Sequence, residues 1–309
     1  MTIIVGILCS DGVVIGSDSA LAVGRVGRYT IERQEGNVFK IEIVGDDVIT
    51  AFTGAAGLAQ RFNDQIEITI NELREKYVQP RLPSGIGPVG TPVQLILFNK
   101  SLVPLGEIPW DRIGPVEISR IISQLTINDF QKTPSALQQQ PSIGWGFGAL
   151  FAFVCRDQPH LVDFDTISFH PELKGLPDKK RDGQDRIWRC VSMGAGQALA
   201  DAFLAHSYRL LFGQQVPTIK RAKLVVAWTI KHVVRYNPGL VGGELQLAVL
   251  EKRNEKWEAR YEDPGETEEQ VDMLEKYISD FVEKQKPDTA ADASLVDIHE
   301  ALKSKNDGG

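Results

Sequence analysis

The chain predicts an α+β fold in which two β-sheets are sandwiched between helical layers, a four-layer αββα arrangement, with a C-terminal helical extension. Three observations carry this. Short apolar runs of period two pair as hairpins around Gly- and Asp-containing turns. Longer segments repeat apolar residues at steps of three and four. The order of elements is strands, helix pair, strands, helix pair, strands.

The first hairpin opens the chain. Thr2-Ile3-Ile4-Val5-Gly6-Ile7-Leu8 is an apolar run, and Ser10-Asp11-Gly12 is a tight turn with Asp and Gly in their usual turn roles. Val13-Val14-Ile15-Gly16-Ser17 returns and ends at Asp18. A hairpin of this shape brings the Asp18 carboxylate back beside Thr2. A second hairpin runs Phe39–Val44, turns at Gly45-Asp46-Asp47 and returns through Val48–Phe52. Lys40, Glu42 and Val44 share one of its faces, and Phe39, Ile41 and Ile43 the other. Thr53-Gly54-Ala55-Ala56-Gly57 then breaks into a helix whose stripe is Leu58, Phe62, Ile66, Ile70, Leu73 and Tyr77.

Gln79–Pro92 is rich in Pro and Gly and reads as an inserted loop, and Val93–Phe98 as a strand. Val116–Phe130 is a helix with Ile118, Ile121, Ile122 and Leu125 on one side. Ile143–Cys155 and His160–Phe164 form a hairpin around Arg156-Asp157-Gln158-Pro159. Pro171–Asp185 is polar and broken, a second loop. Ile187–Ser192 is a strand, Gly196–Phe212 a helix closed by Gly213, and Pro217–Tyr236 a helix with Thr218 near its N-cap. Leu245–Leu250 and Trp257–Tyr261 finish the sheet.

Thr2 is the residue with most chemistry. Removal of Met1 leaves a threonine bearing both a hydroxyl and a free α-amine, a nucleophile and a base in one residue. An α-amine titrates near ~7.7–8.0, so a good fraction is neutral at working pH.

With these pieces in order, the chain resembles the β-type subunits of proteasomes and their bacterial relatives, in the N-terminal-nucleophile (Ntn) hydrolase superfamily. Thr2 matches the catalytic threonine. Asp11-Gly12-Val13-Val14-Ile15-Gly16-Ser17-Asp18-Ser19 matches the family's second strand with its catalytic Asp. Lys40 matches the catalytic lysine, and Thr53-Gly54-Ala55-Ala56-Gly57-Leu58-Ala59-Gln60 the oxyanion segment and first helix. The spacings from Thr2 to Asp18 and from Lys40 to Gly54 fit. The stretch from Asp18 to Lys40 is longer than the family's, and Arg33 within it is the alternative cation. The resemblance covers residues 2–261.

It implies catalytic roles for Thr2, Asp18, Lys40 and Gly54. Thr2 Oγ attacks a carbonyl and its amine acts as base, through water. The Lys40 ammonium lowers the cost of the alkoxide, Asp18 orients Lys40, and the Gly54 N–H meets the oxyanion. It also implies that Phe52 floors the substrate pocket, with Leu21 and Ala56 as walls and Glu42 near the rim. The chain departs from the family at two supporting positions. The turn Gly194-Ala195-Gly196 carries Ala195 where the family has serine, and Asn237 and Val241 stand nearest its supporting Asp and Ser. Gly194-Ala195-Gly196 also precedes a helix like a dinucleotide fingerprint, but position 199 is Leu and no parallel βαβ unit surrounds it.

Composition limits the alternatives. The chain has 309 residues, 42% of them apolar, enough for one large domain and an appendage. The domains are expected at 1–261 and 262–309. The second is an acidic helical tail of 14 acidic and 5 basic residues, which leaves the first at about +2 against a total of −7. Nothing in this balance points to nucleic acid. No run of 18 apolar residues suggests a membrane span, and no signal-peptide pattern opens the chain, so a cytoplasmic location is expected. Cys9, Cys155 and Cys190 read as buried free thiols. The histidines, His160, His170, His206, His232 and His299, form no metal-ligand pattern, so neither metal nor cofactor is expected. In the tail, Val271, Leu274, Ile278 and Phe281 mark an amphipathic helix over Glu266–Lys284. It packs either on its own domain or on a neighbouring subunit. Beyond Pro287 come a short helix through Leu295, Ile298 and Leu302 and an end expected to be disordered.

The expected function is therefore a threonine peptidase acting on peptides or unfolded protein, in a self-compartmentalising homo-oligomeric double ring, with an ATP-dependent unfoldase as a possible partner. Two alternatives stand beside it: a non-catalytic ring or scaffold subunit, and a transpeptidase or small-amide hydrolase using the same Thr2.

Overall fold

Strands β1 (Ile3–Leu8) and β2 (Gly12–Asp18) form an antiparallel hairpin, with Ile4 opposite Ser17 and Leu8 opposite Val13. The Cys9 N–H closes its turn on the Gly12 carbonyl at 2.8 Å. The computed structural model containing it describes residues 2–24, 31–34, 38–54, 56–78, 95–98, 101–104, 112–132, 147–175, 177–178, 186–187, 189–239 and 241–284. These residues form a mixed α+β fold with two five-stranded antiparallel sheets and five helices.

The hairpin lies at the middle of the first sheet. Strand β14 (Cys190–Gly194) pairs with β1, β15 (Leu245–Arg253) pairs with β2, and β16 (Lys256–Glu262) completes the order β14-β1-β2-β15-β16. The second sheet has the order β11 (Pro171–Leu173), β10 (Gln158–Phe164), β9 (Phe147–Cys155), β6 (Val48–Gly54), β5 (Ile41–Val44). Three two-stranded ladders lie outside these sheets: β3 (Leu21–Gly24) with β4 (Ile31–Gln34), β7 (Leu95–Phe98) with β8 (Ser101–Pro104), and β12 (Pro177–Asp178) with β13 (Arg186–Ile187).

Alternation along the strands divides the core. In β9, Leu150 and Ala152 join Ile4, Val13 and Ile15 of the first sheet and Leu161 of β10 in one apolar cluster. The intervening Phe147, Phe151 and Phe153 turn to the opposite face. There they meet Phe62 and Ile66 of helix α1 (Ala56–Val78) and Ile118, Ile121, Ile122 and Leu125 of helix α2 (Pro115–Gln131). Phe62 sits edge-on to Phe147, Phe164 and Phe169 at 5.4–5.8 Å, a favourable arrangement for aromatic rings. Helices α3 (Gln197–Phe212) and α4 (Ile219–Tyr236) follow β14, and α4 contacts β1, β2 and β15.

Local chemistry explains the helix starts. Pro115 occupies the first turn of α2, and Glu117 Oε2 accepts from the Gly114 N–H at 3.2 Å. Thr218 is the N-cap of α4 but makes no side-chain cap bond. Asp11, in the β1–β2 turn, takes that part: its Oδ1 accepts from the Ile219 N–H at 2.9 Å.

Several boundaries differ from the sequence reading. The β9–β10 turn is Arg156-Asp157 alone, both at positive φ (51° and 58°), as a two-residue type I′ turn requires. Gln158 and Pro159 belong to the strand: they pair with β9, and among the described residues β11 reaches only residues 162–164 on the other edge. Pro171–Leu173, read as loop, is edge strand β11. The strand expected at Ile187–Ser192 begins at Cys190, and β7 has an unforeseen partner in β8. Strand β5 begins at Ile41, so Phe39 lies before the pleat and is 67% exposed, edge-on to Tyr261. The expected loop Gln79–Pro92, the side chains of Leu73 and Tyr77, positions 143–146 and the tail beyond Lys284 lie outside the described residues.

The chain divides into two compact units, Met1–Gly265 and Glu266–Gly309. In the second, helix α5 (Gly265–Lys284) buries Val271, half-buries Leu274 and exposes Ile278 and Phe281, so burial fades along the expected stripe. No helix among the described residues is long and apolar enough to cross a membrane.

Candidate functional site

Asp18 ends β2 on the first sheet, while Lys40 directly precedes β5 on the second. Their side chains meet: Lys40 Nζ donates to Asp18 Oδ1 at 2.7 Å, and both are buried. The same oxygen accepts from the Ile3 N–H at 2.9 Å, and Asp18 Oδ2 accepts from the Gly242 N–H at 3.0 Å. One carboxylate therefore binds an ammonium and two main-chain donors. Burial holds Lys40 below the ordinary lysine range, and the charge and hydrogen bond of Asp18 oppose that shift.

Thr2 is buried at the head of β1, and the Ile3 N–H bonded to Asp18 belongs to the peptide that follows it. Across β1, Ile3 lies opposite Gly194 at the end of β14. Gly194 has φ 106°, and a Cβ there would overlap the Thr2 carbonyl oxygen and lie 3.3 Å from Thr53 Oγ1. The end of β6 thus approaches the start of β1 at this point. Gly54, next in β6, is exposed and has φ 103°. The structure brings the Thr2–Ile3 peptide, Asp18 and Lys40 together, and puts the Thr53-Gly54 segment beside Gly194.

Ala195, Asn237 and Val241, where the sequence differs from the pattern it resembles, fall around the same place. Ala195 is exposed in the turn between β14 and α3, next to Gly196, whose N–H faces the Thr2 carbonyl at 3.5 Å. Asn237 is the C-cap of α4. Its N–H donates to the Val233 carbonyl at 2.8 Å, its carbonyl accepts from the Val241 N–H at 3.2 Å, and among the described residues it makes no hydrogen bond to Thr2. Val241 is buried. Beyond it the chain wraps the end of β2: Ala20 N–H donates to Gly242 O at 2.8 Å and Glu244 N–H to Ser19 Oγ at 2.7 Å. Gly243 (φ 78°) packs so close to Ser19 that a Cβ would overlap its hydroxyl.

Of the expected pocket residues, Phe52 is in register with Lys40, its N–H donating to the Lys40 carbonyl at 3.1 Å. Its side chain joins the apolar cluster of Leu58, Ala59 and Phe62. Leu21 and Ala56 begin β3 and α1, and their side chains, like that of Arg33, lie outside the described residues. Glu42 is half-buried, and its Oε2 accepts from Asn63 Nδ2 of α1.

One participant escaped the sequence reading. Gln246 Oε1 accepts from the Lys40 N–H at 3.0 Å and from Ser17 Oγ at 3.1 Å, while its Nε2 donates to the Val38 carbonyl at 2.8 Å. The signal was available: positions 246, 248 and 250 share a strand face, and Ala248 and Leu250 lie in the cluster between the sheets, so Gln246 is a polar residue on an inward face.

Cys9, Cys155 and Cys190 are free. Burial pushes the Cys190 thiol up to about 12 and that of Cys9 further still, so neither is a ready nucleophile. No group of three or more His, Cys, Asp or Glu side chains among the described residues is gathered to hold a metal. No family model matches the chain, and no curated protein matches it.

A buried ammonium fixed by a carboxylate is suited to stabilising negative charge that develops beside it, because it needs no reorganisation when the charge forms.

Proposed function

We propose that the chain is a threonine-type hydrolase of the proteasome β kind, acting on peptides or unfolded protein after Met1 is removed. The observation that carries this reading is the buried Lys40–Asp18 pair, tied through the Ile3 N–H to the peptide following Thr2. On this reading the fold is the four-layer αββα sandwich of the Ntn hydrolases. The apolar cluster shared by both sheets and the helices packed on their other faces support it.

The reaction runs in two halves. Thr2 Oγ adds to the scissile carbonyl while its proton passes to the Thr2 α-amine, through water. The Lys40 ammonium stabilises the alkoxide, and Asp18 keeps the ammonium charged and aimed. The Gly54 N–H receives the oxyanion. The C–N bond then breaks, the leaving amine takes the proton, and an ester on Thr2 remains. Water adds to that ester under the same base, the C–Oγ bond breaks, and the acid product leaves with Thr2 restored. Assembly into a double ring, and delivery of substrate by an ATP-dependent unfoldase, belong to the same proposal and rest on the resemblance alone.

A second reading, a non-catalytic ring subunit, is favoured by one observation: Ala195 brings no hydroxyl to the turn beside the Thr2 carbonyl. Intact mass followed by a threonine-directed peptide epoxyketone separates the two. The hydrolase reading expects a chain lacking Met1 and a single adduct on Thr2. A chain lacking Met1 that takes no adduct is a scaffold subunit. Retention of Met1 together with full peptidase activity removes the α-amine mechanism.

A further inference from the structure

The main chain of Lys40 is held as firmly as its ammonium, and from both sheets. Its carbonyl accepts from the Phe52 N–H, which extends the β5–β6 ladder by one residue. Its N–H donates instead to Gln246 on β15 of the other sheet. The same amide donates to the Val38 carbonyl and accepts from Ser17 Oγ, which leaves the segment 38–40 bridged to β15 and β2 by one side chain. Val38 N–H adds a bond to the Ser19 carbonyl at 3.1 Å. Without Gln246, two of the bonds between this segment and the first sheet disappear together.

We propose that Gln246 is a positioning residue for Lys40: by clamping the Lys40 main chain across the gap between the sheets, it keeps the ammonium on Asp18 beside Thr2. Its consequence for turnover rests on the threonine reading above, whereas its consequence for Lys40 does not. Among the described residues, Asp18 is a carboxylate bonded to the Lys40 ammonium. Glu42 turns to Asn63 on α1, and the Tyr261 hydroxyl donates to the Ile41 carbonyl at 3.1 Å. Loosening the segment admits water to the ammonium and relieves the burial that depresses its ionisation.

The test compares wild type, Q246M, Q246N and S17A as full chains. Methionine matches glutamine in length without its hydrogen bonds, and asparagine is one methylene too short to reach Lys40. Ser17→Ala removes a partner of Gln246 but leaves the bond to Lys40. Lysine side-chain NMR follows the titration of Lys40, and a fluorogenic peptide gives the pH–rate profile. In Q246M the Lys40 titration moves to higher pH, the alkaline limb of the profile moves with it, and kcat falls roughly ten- to a hundredfold with KM little changed, the scale of a small misplacement at a reacting centre. Q246N shows the same shift and decides the matter if Q246M does not fold. S17A leaves the titration where it was. An unmoved Lys40 titration in the glutamine variants overturns the proposal, even if turnover drops. If wild type turns over no peptide, the threonine reading fails while the titration still decides the role of Gln246.

Discussion

Lys40 and Asp18 come from different sheets and meet at 2.7 Å with both side chains buried. Such a pair is weak evidence for stability, because desolvating two charges offsets most of their attraction. Breaking it is costly, since one charge is left buried and alone. Asp18→Asn is therefore expected to destabilise the fold by about 3–5 kcal/mol in urea denaturation. The double variant Asp18→Asn/Lys40→Met should recover part of that loss. A double variant less stable than Asp18→Asn alone would contradict the pairing.

The same pair fixes a pH dependence. Burial depresses the folded-state pKa of Lys40 below its unfolded value near ~10.4. Between the two values the unfolded chain binds more protons than the folded chain, so this group makes stability rise with pH across that window. Below the window lysine is charged in both states, the burial cost is present in full and the contribution is flat. Urea melts of wild type and Lys40→Met at a series of pH values should show their difference moving in favour of wild type as pH climbs toward ~10.4. Movement in favour of the variant would mean that Asp18, not burial, governs Lys40.

Thr2→Ala and Lys40→Ala are each expected to lower peptide turnover by at least roughly 10²-fold, the scale of losing a nucleophile's partner or an electrostatic stabiliser. Wild-type turnover in Lys40→Ala would remove the lysine from the chemistry and return attention to Arg33.

How much of this was legible in the sequence follows from the range of each interaction. The Thr2–Asp18 hairpin could be read because its alternation and its Asp-Gly turn are local. The meeting of Lys40 with Asp18 could be expected because no gap separates Lys40 from Gly54 in the resemblance. The Asp11 cap on α4 could not, since Asp11 and Ile219 meet only once the sheet and helix have packed, and Thr218 offered a nearer cap of the right type. Strand β11 was missed for a related reason. Pro171–Leu173 has no apolar alternation of its own and takes its conformation from pairing with β10.

The cap gives a direct comparison. Asp11→Ala should cost about 1 kcal/mol of stability by chemical denaturation, the usual loss for a capping side chain, while Thr218→Val should cost much less. A larger loss at Thr218 would show that the threonine, not the distant aspartate, starts α4.

If the threonine-hydrolase proposal holds, specificity is expected to turn on Phe52, which stands in register with Lys40 and is buried. As the floor of the substrate pocket, a bulky apolar ring would leave only a shallow space for the side chain preceding the scissile bond. An acidic side chain placed there would lose water without gaining a partner, a cost of several kcal/mol for an ion. Small or medium apolar residues, such as Ala, Val or Leu, should therefore be preferred, with poor cleavage after Asp or Glu. Phe52→Ala removes the floor and should move the preference toward Phe or Tyr. It also leaves a cavity against Leu58 and Phe62, with a stability loss of about 3–5 kcal/mol, so the profile must be taken well below the variant's melting temperature. A peptide-library profile decides it: acidic preference in wild type, or an unchanged profile in folded Phe52→Ala, removes Phe52 from the pocket and leaves it a core residue of the sheet–helix interface.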